Sequence, residues 1–311
     1  MNFPKVVILL FFISVSAFCQ DYERVDATIQ LYPESFEKPE ELSRFISRDF
    51  ETDSEKVRAM YSWIIRNVAY DPEEYKNFNY SFTNYRDRNQ KEEKTRKKII
   101  ERTLQKGTAV CEGYAMLMEK LCELQGISNY LVRGDIKSNF EDIGRPFKKS
   151  HMWNVIILDD KQFLFDATWG AGKYNGKFIK EPSYFWFQSS PELFLKTHYP
   201  EVTEDALVEK PMSRQAFSEI PLLIEKNLLL SEINTPQNGI LYAENYLGEI
   251  PFDIKNITPN KISYSFGNEK TIIENTERTE TNLKFTIPLQ PNAEILLIYF
   301  DDKPALGYRI E

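Results

Sequence analysis

Histidine is nearly absent from this 311-residue chain: there are two, His151 and His198. Cysteine is almost as scarce, with three, Cys19, Cys111 and Cys122. These counts leave too few members for a histidine–cysteine zinc set, and no Asp/Asn-rich loop has calcium-hand spacing. Neither a metal ion nor a cofactor is expected. Basic charge is also in deficit, with 39 Lys and Arg against 47 Asp and Glu and a formal net charge of −8. An acidic chain without a basic stripe suits neither nucleic acid nor docking on anionic lipid. Long apolar runs are missing as well. The run Val6–Val15 falls short of the ~20 residues of a spanning helix, and nothing later approaches that length. No internal repeat is found.

That short run has a different reading. With Lys5 before it and the small residues Ala17 and Cys19 at the −3 and −1 positions, residues 1–19 read as a signal peptide cleaved between Cys19 and Gln20. Acylation of Cys19 as a lipoprotein is disfavoured, because Phe18 is too large for the position before a lipidated cysteine. The chain is expected to be exported, to the periplasm or the extracellular medium. Hydrophobic and charged residues make up 42% and 28% of the chain, as in a globular protein, and the length suits about two domains.

After cleavage Cys111 and Cys122 remain, in a compartment where paired cysteines are the rule. Both fall on one predicted helix, Ala109 to Leu124, in which Cys111, Ala115, Met118 and Cys122 share a stripe flanked by Leu117, Leu121 and Leu124. Gly107 precedes it, Thr108 is the expected N-cap, and Gly126 stands where a C′ glycine belongs. The two residues are roughly 16 Å apart along the helix at 1.5 Å per residue, beyond the ~7 Å Cα limit for a bridge. Cys111 occupies the first turn, where free N–H groups and the helix dipole favour a thiolate, the attacking form of the side chain. Burial as a small hydrophobe is the competing reading, and it is the one that suits Cys122.

Around this helix the chain reads in order. Pro39 starts a helix carrying Leu42, Phe45 and Ile46. Thr52 or Asp53 caps another with Val57, Met60, Tyr61, Ile64 and Ile65. Aromatics at 75, 78, 80, 82 and 85 precede the charge run Arg86–Lys98, a solvated, partly helical insertion. Ile127–Arg133 is a strand, Lys137–Lys149 a polar loop, and His151–Leu158 with Gln162–Thr168 a central antiparallel pair buried on both faces. Asn175-Gly176 marks a further hairpin. Residues 181–217 are aromatic and interrupted by prolines. Beyond them short β runs (Asn227–Leu230, Gly239–Tyr242, Ile250–Ile254, Lys261–Phe266, Asn282–Ile287, Glu294–Phe300) have the pattern of a small sandwich.

A cysteine nucleophile needs a base, and the base an orienting acceptor. His151 opens the first central strand and Asp166 closes the second. A two- or four-residue loop about Asp159-Asp160 sets Asp166 opposite Trp153 and diagonal to His151 on the same face, whereas an odd loop would separate them. Parity is thus compatible with a Cys111–His151–Asp166 triad without requiring it. His198 is expected to hydrogen-bond a loop.

Three motifs, Val110-Cys111-Glu112-Gly113-Tyr114, His151-Met152-Trp153-Asn154-Val155 and Phe165-Asp166-Ala167-Thr168-Trp169-Gly170-Ala171-Gly172, resemble those of the transglutaminase-like superfamily. The likeness is closer to its branch containing the kyphoscoliosis peptidase and related cytokinesis proteins, and covers roughly residues 50–220. A downstream segment, Tyr184-Phe185-Trp186, Pro191-Glu192-Leu193-Phe194 and His198-Tyr199-Pro200-Glu201, extends it. The resemblance implies an α+β, papain-like transglutaminase core, with the cysteine-bearing helix packed on an antiparallel sheet. It also implies that Cys111, His151 and Asp166 are nucleophile, base and orienter of a catalytic triad. Family members include peptidases, protein cross-linkers and inactive scaffolds, and animal cross-linkers use calcium.

The domain reading is a signal peptide at 1–19, a transglutaminase-like domain at 20–218, and an Ig-like β-sandwich at 219–311 that contributes binding or geometry. The expected function is hydrolysis of peptide or protein amides through a thioester, with the Cys111 N–H as one oxyanion donor and the second unassigned. Tyr114 points elsewhere; Trp63, Tyr70 and Trp153 read as core, and Trp169, Gly170 and Gly172 as the turn holding Asp166. A non-catalytic protein-binding module and a protein-glutamine acyltransferase are the alternatives. The sequence specifies neither substrate nor oligomeric state.

Overall fold

The computed structural model describes residues 21–77, 85–224, 226–267 and 269–311. The leader and the aromatics Phe78, Tyr80 and Phe82 lie outside the described residues, as do the side chains of 85–91 at the start of the charge run. Three helices come first: α1 (Tyr22–Ile29), α2 (Pro39–Asp49) and α3 (Asp53–Asn67). Pro39 sits at the first position of α2, where its missing N–H costs nothing. Thr52 and Glu55 form a reciprocal capping box on α3, satisfying orphan donors at both ends of the pair. The charge run belongs to one continuous helix, α4 (Tyr85–Lys106), whose later turns bury Ile99, Ile100 and Leu104.

Helix α5 (Cys111–Leu124) lies at the centre, with Tyr114, Leu117, Met118, Leu121 and Cys122 fully buried against α2, α3 and α4. Each such Leu or Met contributes about 1.5–3 kcal/mol of burial. Its start differs from the expected one. Val110, not Thr108, is the N-cap, and no side chain caps the helix. Thr108 and Ala109 are instead drawn into a two-residue strand, β2, paired in parallel with β1 (Ala69–Tyr70). At the other end Gly126 takes the left-handed φ of +73° that closes the helix.

The sheet beneath α5 is antiparallel with order β5-β4-β3-β8, formed by β3 (Asn129–Ile136), β4 (His151–Leu158), β5 (Lys161–Phe165) and, later, His198–Pro200. Met152, Ile156 and Phe165 face the helical layer, and the Asn154 amide donates to the Ala115 carbonyl of α5 at 2.9 Å. The other face meets the aromatic segment, where Trp153, Val155 and Leu164 pack with Trp186 and Phe194. The turn Asp159-Asp160 has two positive φ angles, 49° and 59°, so two residues link the strands. The pairing runs from Leu158↔Lys161 to Asn154↔Phe165.

Two expectations for this hairpin are corrected. β5 is an edge strand rather than a central one, and its first residues, Lys161 and Gln162, are exposed while Leu164 and Phe165 are buried on opposite faces. It also stops at Phe165 rather than Thr168, because the Asp166 carboxylate accepts the Trp169 N–H and opens a short helix, α6 (Ala167–Ala171). The hairpin at Asn175-Gly176 is present as β6 (Gly172–Tyr174) and β7 (Phe178–Lys180), and His198–Pro200 is β8.

The C-terminal region is a sandwich of two sheets. One orders Glu232–Thr235, Glu249–Lys255, Asn282–Pro288 and Glu277–Arg278; the other orders Ile240–Leu241, Lys303–Ile310, Ile295–Phe300, Ile262–Ser265 and Thr271–Ile272. Alternating Ile250, Phe252, Ile254 and Leu283, Phe285, Ile287 form its core with Leu296, Ile298 and Tyr308. Asn227–Leu230 is not a strand, since Lys226–Leu230 forms a 3₁₀ turn. The stretch 137–149 is more than a polar loop. Arg145 binds Asp135 and Asp142, and the buried Lys137 donates to the carbonyls of Ser218 and Ile220 at 2.6 and 2.7 Å.

Candidate active site

Cys111 opens α5, so its N–H and that of Glu112 have no acceptor within the helix. The side chain is 2% exposed. Glu112 Oε2 accepts the thiol at 3.2 Å and the Tyr75 hydroxyl lies 3.5 Å from the sulfur. Arg133 stands 3.9 Å from the Glu112 carboxylate. Tyr75 is held there by its neighbours. The β1–β2 bridge fixes Tyr70 beside Ala109, the Asp71 N–H donates to the Ala109 carbonyl at 2.9 Å, and buried Glu74 is gripped by Arg102 through two hydrogen bonds.

His151, the first residue of β4, directs Nε2 at Asp166 Oδ2 at 2.7 Å. That leaves Nδ1 on the side of Cys111, whose sulfur favours the protonated form of the imidazole. The register carries Asp166 to the position opposite Trp153, diagonal to His151 on one face, as the two-residue loop requires. The chain thus joins His151 to Asp166 directly, with Cys111 near enough to influence the imidazole. Burial opposes a charged imidazole at His151, but the charge and hydrogen bond of Asp166, with a contribution from Cys111, outweigh it and push the group up to about 10. Burial likewise opposes the Asp166 charge, yet the two histidines hold its carboxyl well below the usual range.

The second histidine is the residue that sequence reasoning missed. His198 does not serve a loop: it is fully buried in β8, and its Nε2 donates to the same Asp166 Oδ2 at 3.0 Å. Its Nδ1 accepts the Thr197 hydroxyl at 2.7 Å. Phe194 stacks on the ring at 4.0 Å between centroids, and Trp169 lies at 4.5 Å. Desolvation presses this imidazole down to about 4 against the pull of Asp166, so it stays neutral. The signal that could have found it is parity. Gly134 pairs with His151 on one side and Pro200 on the other, which puts His198 on the face shared by His151 and Asp166.

His151, Asp166 and His198 also have the donor chemistry of a metal site. Both ring nitrogens, however, touch one carboxylate oxygen at 2.7 and 3.0 Å. Ligands bound to zinc at about 2.0–2.1 Å in tetrahedral geometry stand further apart than that, so the spacing is that of a hydrogen-bonded trio. The turn beyond Asp166 is tightly built. The Tyr61 hydroxyl donates to the Asp166 carbonyl at 3.0 Å, and a Cβ on Gly170 would stand 2.1 Å from that hydroxyl. Trp63 and Trp153 are core, and the Tyr114 hydroxyl points away to the Val68 carbonyl. Tyr70, half-buried, faces the site instead, with its ring 5.6 Å from that of Tyr174.

A cysteine at a helix start, packed over an antiparallel sheet that presents a buried His–Asp–His group, defines a transglutaminase-like, cysteine-protease-type fold. Residues 40–167 match the transglutaminase-like superfamily. Among curated proteins it is similar to the kyphoscoliosis peptidase of Homo sapiens, 28% identical over 212 residues that cover 66% of this chain and 29% of the relative. The Mus musculus kyphoscoliosis peptidase is 29% identical over 186 residues, covering 57% and 25%. The match therefore spans less than a third of those relatives. Two solved structures share 14% and 10% identity: a TGase, covering 56% of this chain and 38% of that one at a TM-score of 0.28, and an arylamine N-acetyltransferase from Mycobacterium abscessus, covering 93% and 84% at 0.28.

Proposed function

We propose that this chain is an exported cysteine hydrolase that cleaves peptide or protein amide bonds, with Cys111 as nucleophile, His151 as base and Asp166 as orienter. The observation that carries the reading is the buried 2.7 Å contact from His151 Nε2 to Asp166 Oδ2, which leaves Nδ1 to Cys111 at the start of α5. Before attack the thiol proton already resides on Nδ1, the form of the imidazole that Asp166 favours, and the Cys111 sulfur forms a C–S bond to the amide carbonyl while the carbonyl pair moves to oxygen. The Cys111 N–H binds that oxyanion. The pair returns as the C–N bond breaks, and the imidazolium gives its proton to the departing amine. Water, deprotonated by Nδ1, then resolves the thioester to acid and thiol. An amine in place of water would make the same site a transferase.

The test is alkylation of folded protein by iodoacetamide across pH, read separately at the two buried free cysteines. Cys111 is expected to react at a rate that falls sharply in His151→Ala, and Cys122 only on unfolding. Equal native-state rates at the two thiols would sink the assignment. Release of free amine from a casein digest, lost in Cys111→Ala, separates hydrolysis from a binding role.

A further inference from the structure

We infer that the Tyr75 hydroxyl is the second oxyanion donor of this site, completing with the Cys111 N–H the cradle for the charge that develops on the substrate carbonyl. The inference rests on the acyl-transfer reading above and assigns a role that neither the sequence motifs nor the His–Asp–His group supplies.

The geometry points to it in three ways. The hydroxyl is 3.5 Å from Cys111 Sγ. An oxyanion bonded through its carbon to that sulfur lies within about 3 Å of the sulfur, so on the Tyr75 side of the sulfur it comes within normal hydrogen-bond reach of this donor. The donor is also preorganised. Pro72–Asn77 is a 3₁₀ turn anchored at both ends of its first half, by the Asp71 carboxylate accepting the Glu73 N–H at 2.9 Å and by Glu74 on Arg102 of α4. A donor fixed before the reaction stabilises developing charge without reorganising during it. Finally, the hydroxyl keeps its proton. The residue is 44% exposed, but the hydroxyl end lies against Cys111 and Glu112, and desolvation there together with those two groups raises Tyr75 above its ordinary value. Tyr70, the other phenol facing the cysteine, has no hydrogen bond to the sulfur among the described contacts, and Tyr114 is committed to Val68.

In the step itself Tyr75 donates a hydrogen bond and transfers no proton. As the C–S bond forms and the carbonyl pair moves to oxygen, the O–H and N–H groups share that charge. As the C–N bond breaks, the pair returns and both bonds relax.

Two reagents separate this role from the others open to Tyr75. Acylation of Cys111 by p-nitrophenyl acetate passes through an oxyanion; alkylation by iodoacetamide displaces iodide at a saturated carbon and does not. In full-length Tyr75→Phe, acylation is expected to slow about 100- to 1,000-fold, the loss typical of one oxyanion donor, while alkylation stays within about twofold. Unchanged acylation overturns the inference. So does an equal fall in both rates, which would make Tyr75 structural, or a rise in alkylation with acylation unchanged, which would make it a cover over the thiol. Wild-type protein that is alkylated but never acylated would remove the acyl-transfer reading itself, and this inference with it.

Discussion

At the scale of single residues, the two histidines on Asp166 are driven in opposite directions, and that fixes the sign of two pH dependences. His198 is pressed to about 4 from an ordinary 6.5, so between those values the unfolded chain holds a proton the folded chain refuses. Stability from this group is therefore lost as pH falls through that window. His151 is pushed from 6.5 up to about 10, so its contribution is fully present below 6.5 and is lost as pH rises towards 10. Urea midpoints measured from pH 4 to 10 are expected to trace a dome. His198→Phe should flatten its acid side and His151→Gln its alkaline side; a variant that flattens the wrong side would refute the assignment. The same variants bear on turnover. His198→Phe keeps the stack on Phe194 but deletes a charge-assisted donor, and kcat/KM should fall about 10- to 100-fold, with His198→Gln recovering part of it. Asp166→Asn should fold, because an amide oxygen can still cap α6 through the Trp169 N–H. It should nevertheless lose at least about 100-fold in activity, since the amide favours the wrong imidazole tautomer; in a serine protease, a worked case of this change, the loss is about 10⁴. Full turnover in the folded variant would show that Asp166 orients nothing.

Among the elements, β3 decides whether this chemistry can assemble, because it alone joins β4 to β8. A Cβ at Gly134 would stand 2.3 Å from the Tyr199 carbonyl oxygen and 2.4 Å from the Trp153 ring. Gly134→Ala should therefore cost about 1–3 kcal/mol of stability, read by urea unfolding. It should also weaken activity more than an equally destabilising change in the sandwich, since relief requires β8 and His198 to move. This junction also shows what the sequence could disclose. The helix bearing Cys111 was legible from its stripe and its closing Gly126, and the pairing of His151 with Asp166 was allowed by a loop of even length, two or four residues, of which the structure has two. Both are local patterns, and short range makes them readable. His198 was not legible, because its place depends on pairing with Ile136 some sixty positions earlier, across a proline-interrupted segment with no strand pattern of its own. The start of α5 was misjudged for a related reason: Thr108 has the chemistry of a cap but is taken by a bridge to Ala69. In the sandwich, Lys303–Ile310 is a strand absent from the expected runs; it contains Pro304 and Gly307, residue types depleted in strands, and Gly307 makes room for the Phe140 ring and Leu222.

For the molecule as a whole, the question is how far the sandwich supports the site. The first 200 residues own the helical core around α5, and none of the groups on Asp166 comes from beyond His198. The aromatic layer behind His198 is different, because Leu229 packs into it with Trp186 and Phe194. Lys196 ties the same segment down, donating to the carbonyls of Leu229 at 2.6 Å and Ser231 at 3.0 Å. Arg309, from the last strand, reaches back to the Ile143 carbonyl at 2.9 Å. A chain ended after Pro221 should therefore uncover Trp186 and Phe194, lose several degrees in melting temperature, and bind a hydrophobic dye. Because Phe194 stacks on His198, its Cys111 should also acylate more slowly. A chain ended after Ser231 retains Leu229 and both acceptors of Lys196, and should keep Cys111 reactive even though the sandwich is gone. The comparison is made by melting curves and p-nitrophenyl acetate acylation on the two shortened chains beside the full one. Equal reactivity in both would mean that the 222–231 segment is no part of the support for the site. A folded but unreactive chain ending at Ser231 would mean instead that the sandwich, through contacts such as Arg309 on Ile143, helps to build it.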